Sequence, residues 1–198
     1  HGFSPAVAEL ALGLALSLLR RIGDYHAQMR SGSERWVNSF PDDIDPLERE
    51  LSGRTVCIVG YGRIGRRLHE LLKPFGGPVL VVDPFADQRQ VTTNGATPVG
   101  MDQAVEQAEV VVLCAASNEG TRHLIGAKQI AAMRPHALMV NVARAALVDT
   151  EALIARLKQG DLWAAIDVFD QEPLPAGHPL RELPNAYLTP HRGGGIMA

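Results

Sequence analysis

Residues Thr55 to Gly65, TVCIVGYGRIG, leave this chain few architectures to choose from. Val56, Cys57, Ile58 and Val59 form an apolar run rich in β-branched side chains, without polar alternation. Such a run reads as a strand buried on both faces, as in a parallel sheet. Glycines follow at Gly60, Gly62 and Gly65, the G-x-G-x-x-G spacing, and Arg66 to Lys73 then sets Leu68, Leu71 and Leu72 at helical intervals. Strand, glycine-rich turn and helix in that order are the context that gives the motif meaning. Gly60 permits a tight turn, Gly62 lets the backbone approach a pyrophosphate, and Gly65 lets the helix pack close to the strand. The helix N-terminus then offers free N–H groups and partial positive charge to phosphate.

A second buried strand, Val79 to Val82, ends on Asp83. This acid stands near the spacing of about 20 residues at which a carboxylate receives an adenosine ribose 2′-hydroxyl. A carboxylate there repels a 2′-phosphate, so NAD is expected over NADP, with Arg89 as the neighbouring cation that would soften the preference. An ordinary βαβ crossover with an Asp in its next turn would share part of this pattern.

Composition narrows the class without choosing a function. The 198 residues are 46% hydrophobic and 21% charged, an ordinary globular balance, with a formal net charge of −3. No basic stripe or tail marks nucleic acid as a partner. No apolar run reaches the length of a membrane span, and no secretory signal opens the chain, so a cytoplasmic location is expected. Cys57 and Cys114 fall in buried strands and read as free thiols rather than a disulfide framework. No metal site is expected.

Taken in order, the chain begins with one largely buried helix, from about Pro5 to Met29, with Ser4 as N-cap and Pro5 at the first helical position. Residues 1–30 are this lead-in helix, and 31–53 a polar connecting arm carrying Trp36, Phe40 and two prolines, aromatics suited to packing on a partner or a neighbouring lobe. Residues 54–191 form the nucleotide-binding core. After the second strand comes an irregular segment ending near Val99, then a helix over 101–108 and a strand over 109–114. A helix over 126–133, a strand over 137–142 and a helix over 151–159 follow, the last capped by Thr150 and stopped by Gly160. Strands over 163–168 and 186–189 close the series, and residues 192–198 begin a C-terminal segment. Six or seven strands alternating with helices make a doubly wound, Rossmann-type parallel sheet in one domain over 1–198. Ligands bind beyond the carboxyl ends of such strands.

Three ionisable groups stand just past strands in the second half: Arg144, Glu172 and His191. Singly, each has an ordinary reading as a surface or loop residue. Together their chemistry is complementary. Hydride transfer between a nicotinamide and a carbonyl requires a proton moved to or from the oxygen, and His191 is the natural acid/base because the unperturbed pKa of a histidine side chain lies near neutrality. Glu172 would orient the ring and favour its imidazolium form. Arg144 offers a planar fork to a substrate carboxylate. Asp167, also at a strand end, is placed to hold the nicotinamide amide.

NVARAALVD, AAIDVFDQEP and LTPHRGG, in that order, resemble the signatures of the D-isomer-specific 2-hydroxyacid dehydrogenases. VCIVGYGRIGRRL and VDPF are similar to that family's cofactor turn and ribose acid, and PAVAELALGLALSLLR to the helix leading into its nucleotide lobe. The resemblance covers essentially the whole chain. It implies Arg144 in substrate binding and catalysis, Glu172 as partner of the acid/base, and His191 as the acid/base. It implies cofactor contacts from Gly60, Gly62, Arg63, Ile64, Gly65, Asp83, Ala115, Val142, Ala143, Asp167 and Gly193, and a 2-hydroxy or 2-keto acid substrate. It also implies a homodimer through residues 5–50. The family's second, substrate lobe is largely absent from this sequence, so the chain is expected to bind NAD and turn over poorly alone.

Three positions depart from the family pattern. Ala145 stands where Gly follows the Arg, Ala116 where Pro follows the fourth strand, and Arg192 where an apolar residue follows the His. Ala145 would be strained if that position needs positive φ, and Arg192 would bring a second cation near the substrate. Two other readings remain: a non-enzymatic NAD sensor of the family's corepressor type, and an alanine dehydrogenase or adenosylhomocysteinase relative. The D-V-F-x-x-E-P and T-P-H motifs speak against the latter.

Overall fold

A computed structural model describes residues 2–195. Its centre is a seven-stranded sheet in which every pairing is parallel, in the order β3-β2-β1-β4-β5-β6-β7. The strands are β1 (Val56–Val59), β2 (Val79–Val82), β3 (Thr97–Pro98), β4 (Val110–Leu113), β5 (Ala137–Asn141), β6 (Leu162–Ile166) and β7 (Ala186–Leu188). The helices are α1 (Ser4–Leu19), α2 (Ile22–Ser31), α3 (Arg63–Leu72), α4 (Gln88–Thr93), α5 (Met101–Gln107), α6 (Ala127–Ala132) and α7 (Thr150–Lys158). This is the doubly wound Rossmann-type α/β fold that the strand–turn–helix order predicts. The sheet's direction of progress reverses between β1 and β4, which makes their carboxyl ends the natural ligand crevice.

The unbroken apolar strands have a simple cause. Val56 and Ile58 of β1 face one core cluster, with α1 and α3, while Cys57 and Val59 face a second, with α5, α6 and α7. Both faces are covered, so no position wants a polar side chain. Leu138 and Met139 divide β5 in the same way, each fully buried. Each such side chain contributes about 1.5–3 kcal/mol of burial.

The lead-in helix departs from expectation. It is two helices, broken at Arg20 and Arg21, and Arg21 takes a left-handed backbone at φ 51°. The Arg21 guanidinium lies 5.4 Å from the centroid of the Trp163 ring and pairs with Asp24 at 3.0 Å and Asp45 at 2.5 Å. Those tertiary contacts outweigh local helix propensity. A stripe of α1 is buried, Val7, Ala8, Ala11, Leu14, Ala15, Leu18 and Leu19, whereas α2 buries no residue. Phe3 rather than Ser4 stands at the N-cap of α1. Asp149 rather than Thr150 caps α7, accepting from the Ala152 N–H at 3.0 Å, while the Thr150 hydroxyl donates to Asp170 at 2.6 Å. The segment read as irregular between Asp83 and Val99 contains α4, capped by Asp87, and the edge strand β3. Among the described residues no helix is long and apolar enough to cross a membrane.

Candidate functional site

The turn after β1 is glycine for two different reasons. Gly60 has φ +95°, and a Cβ on it would stand 2.5 Å from the Cα and N of Ala115, just past β4. The two strand ends at the switch point therefore meet through bare backbone. A Cβ on Gly65 would stand 2.1 Å from the Gly60 carbonyl oxygen, which brings α3 directly onto the turn. Gly62 differs, because a Cβ there would meet no protein atom within 4 Å. The protein leaves open space at that position, at the N-cap of α3, where the first-turn N–H groups of Arg63, Ile64 and Gly65 lack acceptors within their helix.

Asp83 is half-buried at the end of β2. Its Oδ2 accepts the Tyr61 N–H at 2.7 Å and its Oδ1 the Phe85 N–H at 2.9 Å. The carboxylate is thus bound to the glycine-rich turn itself. Arg89 lies in the first turn of α4, where its backbone N–H donates to Asp87.

The second group gathers at the ends of β5, β6 and β7. Glu172 Oε2 lies 2.7 Å from His191 Nδ1, and Glu172 Oε1 accepts the Phe169 N–H at 3.0 Å. The hydrogen bond with His191, the Phe169 N–H and the charges of His191 and Arg144 hold the Glu172 carboxyl below the usual carboxylate range. Both side chains are open to solvent at 36% and 45%. They line a pocket of about 630 Å³ together with Phe169, Pro173, Arg181 and Thr189. Arg144 is exposed, with its Nη1 donating to the Ala143 carbonyl at 2.6 Å. Buried Asn141 shapes that loop, accepting the Ala143 N–H and donating to the Arg144 carbonyl. Val142 and Ala143, which follow it, are buried at the same sheet edge.

Asp167 does something that sequence reasoning missed. It is 1% exposed. Its Oδ1 accepts the Thr189 hydroxyl at 2.6 Å and the Arg192 N–H at 2.8 Å, and its Oδ2 the Gly193 N–H at 2.9 Å. These three donors bracket His191, whose φ of 53° is a left-handed backbone that needs such support. Asp167 and Thr189 therefore fix the loop that presents the imidazole. Asn141 was likewise unmarked, and its only signal was a polar residue at the end of an apolar strand.

Residues 12–193 match the family described as D-isomer specific 2-hydroxyacid dehydrogenase, NAD binding domain. The chain belongs to this family. It is 36% identical over 192 residues to a D-3-phosphoglycerate dehydrogenase of Methanocaldococcus jannaschii, covering 96% of this chain and 35% of that protein. It is 35% identical over 193 residues to a glyoxylate reductase of Thermofilum pendens, covering 94% and 55%. The solved NAD-dependent formate dehydrogenase of Staphylococcus aureus in complex with NAD superposes with a TM-score of 0.86 at 29% identity, over 98% of this chain and 56% of that one. The chain thus spans between about a third and somewhat over half of each relative's length.

NAD is the cofactor of this family domain, and the residues present fit it. The open space at Gly62, the α3 N-terminus beside it and the fixed carboxylate of Asp83 supply room, N–H donors and a hydroxyl acceptor along one edge. Two departures from the family pattern resolve in the geometry. Ala145 opens a short 3₁₀ turn and is not among the described residues with positive φ, so it carries no left-handed strain. Arg192 turns back onto its own chain, its Nη2 donating to the Gly195 carbonyl at 2.9 Å, rather than standing free as a second cation. Ala116 accepts the Thr121 hydroxyl at its carbonyl, in a short turn closed by Asn118 and Thr121. Among the described residues no group of three or more His, Cys, Asp or Glu is placed to hold a metal ion.

Proposed function

We propose that this chain is the cofactor-binding part of an NAD-dependent dehydrogenase that interconverts 2-hydroxy and 2-keto acids, with residues 54–191 as its nucleotide-binding core. The observation that carries the reading is the 2.7 Å Glu172–His191 contact, on the same sheet edge as a glycine turn left open at Gly62. When bound, NAD supplies the hydride donor or acceptor. His191 Nδ1 faces Glu172, which leaves Nε2 to hold the proton that passes to or from the substrate oxygen. Glu172 fixes the orientation of the ring. Arg144 binds the substrate carboxylate and polarises the adjacent carbonyl. In the reducing direction the keto carbon takes the hydride and His191 gives its proton to the oxygen, so the product is the hydroxy acid.

On the cofactor side, Arg63 and Ile64 give backbone N–H groups to the pyrophosphate, and Asp83 takes the ribose 2′-hydroxyl and disfavours a 2′-phosphate. Ala115, Val142 and Ala143 line the crevice, while Asp167 and Gly193 shape its nicotinamide end. Small 2-keto or 2-hydroxy acids such as glyoxylate, hydroxypyruvate or a phosphoglycerate-like acid fit the Arg, Glu and His set. We place the protein in the cytoplasm, on its two free thiols, Cys57 buried and Cys114 partly buried. We also assign a homodimer through residues 5–50. Ile22, Met29, Trp36, Val37 and Phe40 in that stretch are each more than half exposed, and apolar surface of this kind suits an interface.

The test is a fluorescence titration of this chain with NADH and, separately, NADPH, beside Asp83→Ala. Saturable NADH binding, weak NADPH binding and loss in the variant support the reading, and binding of neither nucleotide sinks it. An assay of glyoxylate and hydroxypyruvate with NADH, and of the phosphoglycerate-like acid with NAD, run with His191→Ala, separates a dehydrogenase from a binding-only module. This chain alone is expected to bind NADH and turn over slowly, since closure over the cofactor completes such sites. Sedimentation at several concentrations checks the dimer.

A further inference from the structure

We infer that Tyr61 and His69 form an internal positioning pair that sets Asp83 against the adenosine ribose. The inference rests on the reading of Asp83 as the ribose acid. Tyr61 is the residue between the first two glycines of the turn, and its backbone N–H holds Asp83 Oδ2 at 2.7 Å. Its side chain turns inward and is 4% exposed. The hydroxyl lies 2.7 Å from Nδ1 of His69, which is also 4% exposed, and the two rings stand 5.9 Å apart at 51°. Asn94, at the end of α4, donates from Nδ2 to the same hydroxyl at 3.5 Å.

One phenol therefore joins three pieces of backbone: the glycine turn, α3 and the end of α4. The first and last of these flank Asp83 in the chain. A purely apolar plug would fill this space without burying the Tyr61 hydroxyl and the His69 ring, and buried polar groups are costly unless each is satisfied. What a satisfied network adds is a single defined geometry. The directions are consistent. Burial, with Lys73 nearby, lowers the His69 pKa, so its ring is neutral near pH 7. Asn94 donates to the Tyr61 oxygen, Tyr61 donates to Nδ1, and the ring carries its own hydrogen on Nε2. Pulling on this chain moves the Tyr61 backbone, and with it the N–H that aims Asp83.

The experiment compares NADH with its 2′-deoxyadenosine analogue, which lacks the hydroxyl that Asp83 would receive. Affinities are measured for the unaltered chain, Tyr61→Phe, His69→Leu, His69→Asn and Asp83→Ala, with a thermal melt of each. Tyr61→Phe and His69→Leu are expected to weaken NADH roughly three- to tenfold while leaving the analogue within about twofold. His69→Asn keeps an acceptor near the position of Nδ1 and is expected to retain the preference for NADH. Unchanged NADH affinity in Tyr61→Phe, equal loss for both nucleotides, or failure of His69→Asn to outdo His69→Leu overturns the inference. If Tyr61→Phe does not fold, the two His69 variants decide it alone. If Asp83→Ala itself binds both nucleotides as before, the reading of Asp83 fails, which is a separate outcome.

Discussion

Glu172 and His191 stand 19 positions apart in the chain, yet Oε2 and Nδ1 are 2.7 Å apart. The sheet closes that distance. Glu172 follows β6, His191 follows β7, and the two strands pair in parallel with Ile166 opposite Leu188. Both loops therefore leave the same edge side by side. The carboxylate is held from behind by the Phe169 N–H, which leaves its other oxygen for the ring.

The pair has a titration signature. The hydrogen bond and charge of His191 hold Glu172 below its ordinary 4.5. A carboxyl whose folded value is depressed contributes stability above its unfolded value, and that contribution disappears as pH falls through the folded one. Carboxyl-carbon NMR of this chain should find Glu172 ionised at pH values where an ordinary Glu is protonated. His191→Ala should bring its titration back up. A Glu172 titrating at or above 4.5 in the unaltered chain would falsify the contact.

Gly60 and Gly62 of the turn should separate under substitution. Gly60→Ala meets both a left-handed backbone and a 2.5 Å approach to Ala115. A loss of about 2–4 kcal/mol in denaturant unfolding is expected. Gly62→Ala meets no protein atom within 4 Å. Its stability should stay within about 0.5 kcal/mol of the parent, while NADH affinity drops about tenfold or more. Equal NADH affinity in Gly62→Ala would mean that the pyrophosphate does not pass over that residue.

The thiols give a simple check of the core. Burial pushes Cys57 and Cys114 up to about 12, so neither forms thiolate near pH 8. A disulfide reagent at that pH should leave the folded chain unlabelled and label two thiols once it is unfolded. Rapid labelling of the folded chain would place one of them at the surface.

Much of this was legible because parallel strands covered on both faces have no alternative to unbroken apolar runs. Val56–Val59, Val79–Val82 and Val110–Leu113 appear in the sequence almost as they appear in the sheet. The glycine spacing was legible for the same reason, since backbone contact admits no other residue at Gly60. The break at Arg21 was not. Its causes are Asp45 and Trp163, remote in sequence, and a local pattern of helix formers carries no trace of them. Helix α4 was hidden by its shortness, though Asp87 before Gln88 was a cap signal. At the site, residue types gave the candidates but not their partners. Asp167 at a strand end looks the same whether it faces a ligand or its own loop.

That ambiguity can be resolved by Asp167→Asn. The substitution keeps size and removes charge, but an amide has one oxygen where the carboxylate uses two. At least one of the Thr189, Arg192 and Gly193 donors must then lose its acceptor, and the Asn nitrogen meets an N–H or hydroxyl donor instead. A buried donor left unpaired costs about 1–3 kcal/mol. His191, at φ 53°, sits within the released segment and would relax toward an ordinary backbone. Hydrogen exchange should therefore quicken at residues 189–193, while β1 and β4 at the centre of the sheet stay protected. NADH affinity should fall less than the rate of turnover, because the Gly60–Gly65 turn and Asp83 are untouched. If NADH affinity alone falls and exchange at 189–193 is unchanged, Asp167 acts on the cofactor directly and the tether is incidental.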